Sequence, residues 1–427
     1  MKIGIIGLGD MGKLFAKTWA DQGFEIIGCD KEENREALTE EFQDYSNVRI
    51  TSSGVEVSRL CDFILYSVET SRIHEVVAAY GPSTKFGAIV AGQTSVKAPE
   101  IAAFEKYLPK DVHIITLHSL HGPNVNPIGQ KIVQIVHRCT DSNALNQATK
   151  IIQAIGSDVI ELENYVEHDK MMADIQAITH IGFESIGTAF MHRGVYPWES
   201  PTQPNGLDSV KLLMTLRIYS YKHHVYSGLA LLNPEAKKDI RVYAQSEHQL
   251  FGQMISEQIS AFKKEILEAR DIVFRDFSGQ LMLEDQWMSE YSLNPTIKHL
   301  PNSHLSLLSM VVAWKNLGTN PYKSLICQTP PFRLRVGMAE YLFMNDELLN
   351  ETLETALFDK SIRQDDLAFH TAVHEWANII EKGDIGSYQK QFENTRQFLS
   401  PRLVEGRELS SQLINRINHA STSNKFS

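Results

Sequence analysis

The 427-residue sequence predicts an α/β N-terminal domain with a mainly parallel sheet, followed by all-helical domains. Two observations support this fold class. Up to residue 160, short runs rich in β-branched residues alternate with helical segments, as is typical of βαβ units. Beyond residue 160, strand-like patterning fades and long segments with helical periodicity follow. We therefore predict three domains, at 1–160, 161–294 and 295–427.

The composition is that of a globular protein with a negative net charge. Hydrophobic residues make up 43% of the chain and charged residues 22%, and the formal net charge is −11. The negative charge and the lack of a basic stripe argue against a nucleic-acid partner. No apolar run is long enough to span a bilayer, and Met1 leads at once into a core strand, which leaves no room for a signal peptide. We expect a cytoplasmic protein without a membrane partner.

The cysteines point to a reducing compartment. Cys29, Cys61, Cys139 and Cys327 are scattered and form no CxxC pair. This pattern predicts neither a disulfide framework nor a structural zinc site.

A glycine-rich motif follows the first predicted strand. The β-branched run Lys2–Ile6 precedes a GxGxxG loop, an amphipathic stretch at Lys13–Gln22, and a second apolar run at Phe24–Cys29. In this order the first glycine permits a tight turn, the second lets the backbone approach a pyrophosphate, and the third allows close helix–strand packing. The cofactor-binding candidates are Gly7, Leu8, Gly9, Asp10, Met11 and Gly12. The motif predicts a Rossmann-like dinucleotide-binding domain.

The residues after the second strand leave the choice of cofactor open. Asp30 could accept hydrogen bonds from a ribose 2′-hydroxyl, which favours NAD. Lys31, with Arg35 one turn further on, could instead bind the 2′-phosphate of NADP. Ser67 and Val68, at the end of a later strand, complete the set of cofactor candidates.

Polar residues follow the further predicted strands. Because ligands bind beyond the carboxyl ends of parallel strands, these residues are candidates for a site. Gln93 and Ser95 follow one strand, and His118 follows the next. The predicted strands are Cys61–Val68, Gly87–Ala91, Val112–Leu117 and Lys131–His137.

His118 is the candidate catalytic base. Histidine titrates near neutrality and can take a proton from a substrate hydroxyl during oxidation, and Ser95 could bind the same hydroxyl or orient the imidazole. A structural histidine is the alternative. A metal pair with His121 is a further one, but the HxxH spacing has no carboxylate or cysteine near it.

The helical part carries the candidate substrate-binding residues. Tyr165–Met191 reads as one long helix containing His180, and Leu212–Leu232 reads as a second helical segment containing Arg217. Asn233 precedes a proline and predicts the start of a further helix, which carries Lys237. This local excess of cations in an acidic protein suits a substrate with carboxylates, although a solvated helix face is the alternative reading.

Three segments together resemble prephenate dehydrogenase. They are the glycine loop, the strand ends that carry Ser95-Val96-Lys97 and His118, and the helix that begins at Glu167-His168-Asp169 and reaches His180. The resemblance spans about residues 1 to 290, and for fungal-type members it extends over the whole chain. It implies that His118 is the catalytic histidine, that Ser95 is its partner and that His180 borders the substrate.

The resemblance also carries expectations about cofactor and substrate. It implies oxidative decarboxylation of prephenate to 4-hydroxyphenylpyruvate in tyrosine biosynthesis, with no metal required. Fungal-type members resemble NADP-dependent enzymes, which favours NADP over NAD. The family also uses an arginine to hold a substrate carboxylate. Here the matching position falls near Ser227-Gly228, so Arg217 and Lys237 are the candidates, with Lys222 and Arg241 as competitors.

Other functions compete with this interpretation. Arogenate dehydrogenase differs only in a substrate amine. A β-hydroxyacid dehydrogenase would use a lysine on the long helix, and Lys170 lies near its start. A non-catalytic NADP-binding sensor would keep the glycine loop but would not need Ser95 and His118.

Residues 303–350 resemble a degenerate copy of the first helical unit. His180 precedes Pro197 by the same 17 residues that separate His304 from Pro321. Pro295 and Pro301 mark a linker between the copies. Prephenate dehydrogenases generally resemble dimers built through their helical domains. We therefore expect either a homodimer, or a monomer in which the second copy replaces the partner.

Overall fold

The computed structural model describes residues 1–123, 125–199, 206–291, 300–324 and 330–423. The chain divides into two compact units, Met1–Lys170 and Met171–Ser427. The division at 160 and the further division of the helical part at 294 stay predictions. The linker around Pro295 and part of the proline-rich loop at 196–208 lie outside the described residues.

The first unit contains one sheet of eight strands. The strand order is β3-β2-β1-β4-β5-β6-β7-β8, and all neighbours are parallel except the antiparallel pair β6 and β7. The order reverses at β1, which places the loop after β1 at the switch point where dinucleotides bind. The strands are β1 Lys2–Ile6, β2 Glu25–Cys29, β3 Val48–Thr51, β4 Phe63–Tyr66, β5 Ile89–Gly92, β6 His113–Ser119, β7 Lys131–Arg138 and β8 Asp158–Leu162.

Helices cover both faces of this sheet. Along β4, Phe63 and Leu65 belong to one buried apolar cluster, and Ile64 and Tyr66 belong to the other. Burial of alternate residues on opposite faces explains why the strands read as continuous apolar runs. The helices are α1 Asp10–Asp21, α2 Arg35–Glu41, α3 Gly54–Leu60, α4 Ile73–Tyr80, α5 Lys97–Tyr107, α6 Ser142–Gln153 and α7 Tyr165–Met172.

The second unit is helical throughout its described residues. Its core contains α14, where every residue from Leu305 to Trp314 is buried, as expected of a helix that is surrounded by other helices. A π-helical segment, Ala173–Ala177, precedes α8. The helices are α8 Ile178–Arg193, α9 Leu207–Tyr219, α10 His224–Leu232, α11 Pro234–Ile255, α12 Ile259–Val273, α13 Asp285–Glu290, α14 Leu305–Leu317, α15 Pro330–Met344, α16 Asp346–Phe358, α17 Arg363–Lys382, α18 Ile385–Leu399 and α19 Leu403–Ser423.

The predicted fold class is confirmed, with three local corrections. Strand β3 was not predicted. The helix predicted at Tyr165–Met191 is divided into α7, the π-helical segment and α8. The segment predicted at Leu212–Leu232 contains two helices, α9 and α10, separated by a short turn. The helix start at Asn233 is confirmed, because its side chain accepts hydrogen bonds from the N–H groups of Glu235 and Ala236.

Two further sequence expectations concern cysteines and membranes. Cys29, Cys61 and Cys139 are free thiols, and Cys327 lies outside the described residues. In the described ranges, none of the helices combines the length and the apolar character needed to cross a membrane.

Candidate active site

The glycine loop between β1 and α1 has the shape of a pyrophosphate site. Gly7 has φ +97°, and a Cβ there would lie 2.4 Å from the Ser67 carbonyl oxygen, so only glycine fits. A Cβ on Gly12 would lie 2.1 Å from the Gly7 carbonyl oxygen. Gly9 caps α1 without a side-chain hydrogen bond and faces open space, so the first N–H groups of the helix can bind an anion. The loop therefore fits a dinucleotide.

The remaining cofactor candidates border this loop. Asp10 is exposed at the first position of α1, Met11 is partly buried behind it, and Leu8 is buried beneath the loop. Val68 packs beside Gly7 at the end of β4. The predicted grouping of these residues around the first helix turn matches the arrangement in the structure, whereas their contacts with a cofactor stay a prediction.

The Asp30 carboxylate is held by the protein itself. It accepts hydrogen bonds from the backbone N–H of Leu8 (2.6 Å) and of Lys31 (2.8 Å), and from Asn34 Nδ2 (2.7 Å). Lys31 and Arg35 are 66% and 52% exposed and pair only with neighbouring surface glutamates. Such exposed pairs contribute little to stability, so both cations can turn to a new anion at small cost.

His118, at the end of β6, is the first member of a buried chain of three side chains. Its Nδ1 lies 2.9 Å from His168 Nε2, and His168 Nδ1 lies 2.8 Å from Asp169 Oδ1. A carboxylate accepts only, so His168 carries its proton on Nδ1 and His118 donates from its own Nδ1. This order of donors leaves His118 Nε2 as the free base.

Burial keeps both imidazoles neutral. It lowers the pKa of His118 well below its usual value, and the neighbouring His168 and Lys97 act in the same direction. It also lowers the pKa of His168 and raises that of Asp169. A neutral His118 is ready to accept a proton at ordinary pH.

Asp169 also fixes the start of α5. Its Oδ1 and Oδ2 each accept a backbone N–H at 2.7 Å, from Lys97 and Ala98 respectively. These are N–H groups that the helix itself leaves without partners. The carboxylate that orients His168 therefore also caps the helix that follows Ser95.

A buried ion pair supports the strand ends below Ser95. Lys97 Nζ lies 3.0 Å from Glu100 Oε1, and it also donates to the Gly92 carbonyl oxygen and to Thr116 Oγ1. Both charged side chains are fully buried. Glu100 further accepts hydrogen bonds from Thr94 and Thr116. Lys97, part of the Ser-Val-Lys motif, is thus a structural residue that ties β5 and β6 to α5.

Ser95 and Gln93 lie in the loop between β5 and α5. Ser95 is partly exposed, and within the described part of the chain no hydrogen bond joins it to His118. Gln93 Oε1 is buried and lacks a hydrogen-bond partner among the described residues, so it is available to a ligand. His121 Nδ1 contacts the Gly122 carbonyl oxygen, 3.1 Å away, and Lys170 is exposed on α7. These placements favour His118 over the alternatives that use His121 or Lys170.

In the second unit, His180 lies in a buried aromatic pocket on α8. Its ring centroid is 4.8 Å from that of Tyr226 and 5.7 Å from that of Phe332. Burial, together with the charge of Arg335, lowers the pKa of His180. Its Nδ1 is buried and has no hydrogen-bond partner in the described ranges.

Arg335, on α15, is a buried cation in the same pocket. It is 5% exposed, its Nη1 donates to Thr179 Oγ1 at 3.2 Å, and its guanidinium stacks 4.5 Å from the centre of the Phe332 ring. Among the described residues no carboxylate forms an ion pair with it, and its Nε has no acceptor. Burial lowers the pKa of Arg335 to about 10, and the charge of Arg217 acts in the same direction. The group stays cationic at neutral pH.

The two predicted anchors differ in their surroundings. Arg217, on α9, is partly buried, and its Nη1 donates to Ser411 Oγ at 2.7 Å. Its charge influences both Arg335 and Tyr226, so it belongs to the neighbourhood of the pocket. Lys237 lies on α11 near Gly383, and no described contact joins it to His180 or Arg335.

An acidic pair lies next to the π-helical segment. The Asp239 carboxyl on α11 lies against Asp174, and burial, reinforced by the Asp174 charge, raises the pKa of Asp239 to about 8. The two carboxyls therefore hold a proton between them at neutral pH. π-helical segments of this kind are frequent at functional sites.

Sequence reasoning did not assign His168, Asp169 or Arg335 to the site. His168 and Asp169 stand together as a titratable pair, which was the available signal. Arg335 lies in the C-terminal third, 156 residues from its partner Thr179, and no motif links the two.

Comparisons with known proteins agree with this arrangement. A family model described as NADP oxidoreductase, coenzyme F420-dependent, matches residues 2–90, and one described as a 6-phosphogluconate dehydrogenase C-terminal domain matches residues 177–419. A prephenate dehydrogenase [NADP(+)] of Saccharomyces cerevisiae is 43% identical, over 97% of this chain and 93% of that one. A probable prephenate dehydrogenase [NADP(+)] of Schizosaccharomyces pombe is 41% identical, over 97% of each. Arogenate dehydrogenase 2 of Arabidopsis thaliana is 24% identical, over 60% of this chain and 71% of that one.

The glycine loop, the sheet order and the buried histidine at a strand end define a dinucleotide-dependent oxidoreductase with a helical C-terminal domain. High identity over nearly the whole length makes the assignment narrower. The chain belongs to the prephenate dehydrogenase family.

Proposed function

We propose that this protein converts prephenate to 4-hydroxyphenylpyruvate in tyrosine biosynthesis, with NADP⁺ as the hydride acceptor. The observation that carries this proposal is the chain from His118 through His168 to Asp169, which leaves one neutral, oriented base at the end of β6. Relatives that share 41–43% identity over nearly the whole chain support the choice of substrate.

The chemistry asks little of the protein beyond a base and correct orientation. When bound, NADP⁺ accepts the hydride from the ring carbon that carries the hydroxyl. His118 Nε2 takes the hydroxyl proton as the C–H bond breaks. The imidazolium is stabilised by His168 Nε2, which accepts from His118 Nδ1. The bond to the ring carboxylate then breaks, carbon dioxide leaves, and its electron pair completes the aromatic ring. The phenolic oxygen regains a proton.

The surroundings of Asp30 support NADP over NAD. A carboxylate at this position repels a 2′-phosphate when it is free, but here it already accepts three hydrogen bonds from the protein. Lys31 and Arg35 stand beside it with weak surface partners. We propose that these two cations bind the 2′-phosphate and that Leu8 N–H holds Asp30 away from it.

We propose that Arg335 binds a substrate carboxylate, assisted by Arg217 and His180. A buried guanidinium without a carboxylate partner among the described residues is costly, and an incoming carboxylate removes that cost. Prephenate carries two carboxylates, which suits two neighbouring arginines. Lys237 stays a candidate from the sequence, without a described contact that supports it.

The test is steady-state NADPH formation with prephenate or arogenate and with NADP⁺ or NAD⁺. We expect turnover of prephenate with NADP⁺, and a loss of about 10²–10⁴-fold in kcat for His118→Asn with cofactor binding intact. Turnover of arogenate alone would correct the substrate but leave the base assignment in place. Firm NADP⁺ binding without turnover of either compound would refute the proposal and favour the sensor.

The carboxylate anchor is tested separately. Arg335→Met should raise the KM for prephenate by about 10- to 100-fold, because a hydrogen bond to a charged group is worth about 1.5–3 kcal/mol. The KM for NADP⁺ should not change. Lys237→Met is the matched control, and an equal effect of both variants would contradict the role of Arg335.

We also propose that residues 303–350 are a degenerate copy of the first helical unit. In support, α8 and α14 each end at a left-handed glycine, Gly194 and Gly318, three residues before Pro197 and Pro321. His304 is not a free base, since it contacts Lys211 and Asp208. The copy would replace a partner subunit and leave a monomer. Sedimentation of the full chain as an obligate dimer would contradict this. A cytoplasmic location is likewise proposed, to be tested by imaging of the tagged protein.

A further inference from the structure

Three histidines from two helices of the second unit converge outside the residues assigned to the reaction. His370 and His374 lie one turn apart on α17, and His248 lies on α11. One ligand nitrogen of each lies within 4.8 Å of the others. The ring centroids are 4.6 Å apart for His370 and His374, and 5.6 Å apart for each of these with His248.

A buried carboxylate stands behind this group. Glu247, beside His248 on α11, is fully buried, and its Oε2 lies 2.7 Å from His370 Nδ1 and 3.5 Å from His374 Nε2. A carboxylate that accepts from one ring nitrogen fixes the tautomer and presents the other nitrogen as a ligand. Glu247 Oε1 and His374 Nε2 are buried and have no hydrogen-bond partner in the described part of the chain. Polar groups left in this state are expected to acquire a partner.

We propose that His248, His370 and His374 form a binding site for a divalent transition-metal ion of the Zn²⁺ class, with Glu247 as the positioning carboxylate. Imidazole nitrogens suit zinc, and three histidines leave a fourth position for water. Zinc–nitrogen bonds of about 2.0–2.1 Å require the ligand nitrogens to move closer together. The exposed His248 side chain can make that adjustment by rotation.

Metal binding would join two helices that support the substrate side of the second unit. Both α11 and α17 pack against α8, which carries His180 and Glu184. A metal that bridges α11 and α17 would hold them together around α8. Because the metal needs the folded arrangement of both helices, its binding should stabilise the folded protein.

The experiment is a calorimetric titration of the full-length, metal-free protein with ZnCl₂. We expect one zinc ion per chain and a higher melting temperature in its presence. His370→Ala/His374→Ala removes two of the three ligands, so the zinc affinity should fall by at least about a hundredfold. Co²⁺ in place of zinc should give the visible absorption of a tetrahedral nitrogen site in the wild type and not in the double variant.

Two further variants separate the site from other histidines. Glu247→Gln keeps the three ligands but removes the positioning charge, and we expect a loss of about 10–100-fold in affinity. His74→Ala changes an exposed histidine on α4 and should leave zinc binding unaltered. The melting temperature and turnover of each metal-free variant confirm that it folds.

Equal zinc affinity in the wild type and in His370→Ala/His374→Ala would overturn the proposal and place the metal elsewhere. No zinc binding to the folded wild type would overturn it as well. Full affinity in Glu247→Gln would refute the positioning role of the carboxylate.

Discussion

Replacement of His168 by leucine should lower turnover without weakening binding of substrate or cofactor. His168 Nε2 lies 2.9 Å from His118 Nδ1 and accepts its proton. When His118 becomes cationic in the reaction, this hydrogen bond is charge-assisted and worth about 1.5–3 kcal/mol. Its loss corresponds to about a 10- to 150-fold lower kcat, since each 1.36 kcal/mol is a factor of about ten. The KM values should change little, because the interaction strengthens only as the proton moves.

The matched control is His168→Gln. The glutamine side chain reaches about as far as the imidazole Nε2 and can offer a carbonyl oxygen to His118, but it places no donor against Asp169. We therefore expect His168→Gln to keep more of the activity than His168→Leu, as measured by initial rates of NADPH formation at saturating substrate. Thermal unfolding should show that both variants fold. Equal kcat values for the two variants, or an unchanged kcat in His168→Leu, would refute the role of His168.

Four further predictions concern the cofactor loop, the base and the acidic pair. Lys31→Ala/Arg35→Ala should raise the KM for NADP⁺ by at least about tenfold and leave that for NAD⁺ unchanged, and equal effects on both would contradict the 2′-phosphate assignment. Gly12→Ala should lower the melting temperature and cofactor affinity, since its Cβ would lie 2.1 Å from the Gly7 carbonyl oxygen and such a clash costs about 1–3 kcal/mol. The acid limb of kcat/KM should lie below pH 6.5, because burial lowers the pKa of His118 and the neutral form is active; a limb above that value would contradict this. Burial raises the pKa of Asp239 from 3.8 to about 8, so its contribution to stability is present below pH 3.8 and is lost as the pH rises through 8; Asp239→Asn should therefore gain stability over the wild type across that range, as measured by urea unfolding.

The first unit could be predicted well because its signals are local. A strand buried on both faces reads as a continuous apolar run, and the glycines of the loop are required by backbone geometry at that position. Strand β3 was missed because only four residues, Val48–Thr51, form it, and one of them is a charged Arg49. Short edge strands offer too few alternating positions to stand out.

The second unit could be predicted less well because its helices lack clear boundaries. Helices α9 and α10 read as one segment, since apolar residues continue through the turn and neither proline nor glycine marks it. Asn233 and Pro234 did mark a boundary, and that prediction was correct. Helices α8 and α14 are buried on all sides, so their amphipathic pattern is weak and their neighbours cannot be inferred from it.

The same difference between local and distant signals applies to the candidate site. His118 could be proposed because strand ends are where α/β proteins bind ligands. His168, which orients it, lies 50 residues later on a helix, and only the folded chain brings them together. Arg335 and the three-histidine group depend on contacts between helices far apart in sequence, which propensity and spacing do not encode.

The position of Asp169 ties catalytic fitness to folding in the evolution of this protein. One carboxylate caps α5 and orients the imidazole behind the base, so any change at this position alters both properties at once. Drift there cannot trade a little activity for a little stability, as it can at sites that serve a single role. Inactive alleles at Asp169 should therefore also reduce protein abundance, and directed evolution for heat resistance should leave this residue untouched while it varies the exposed face of the same helix.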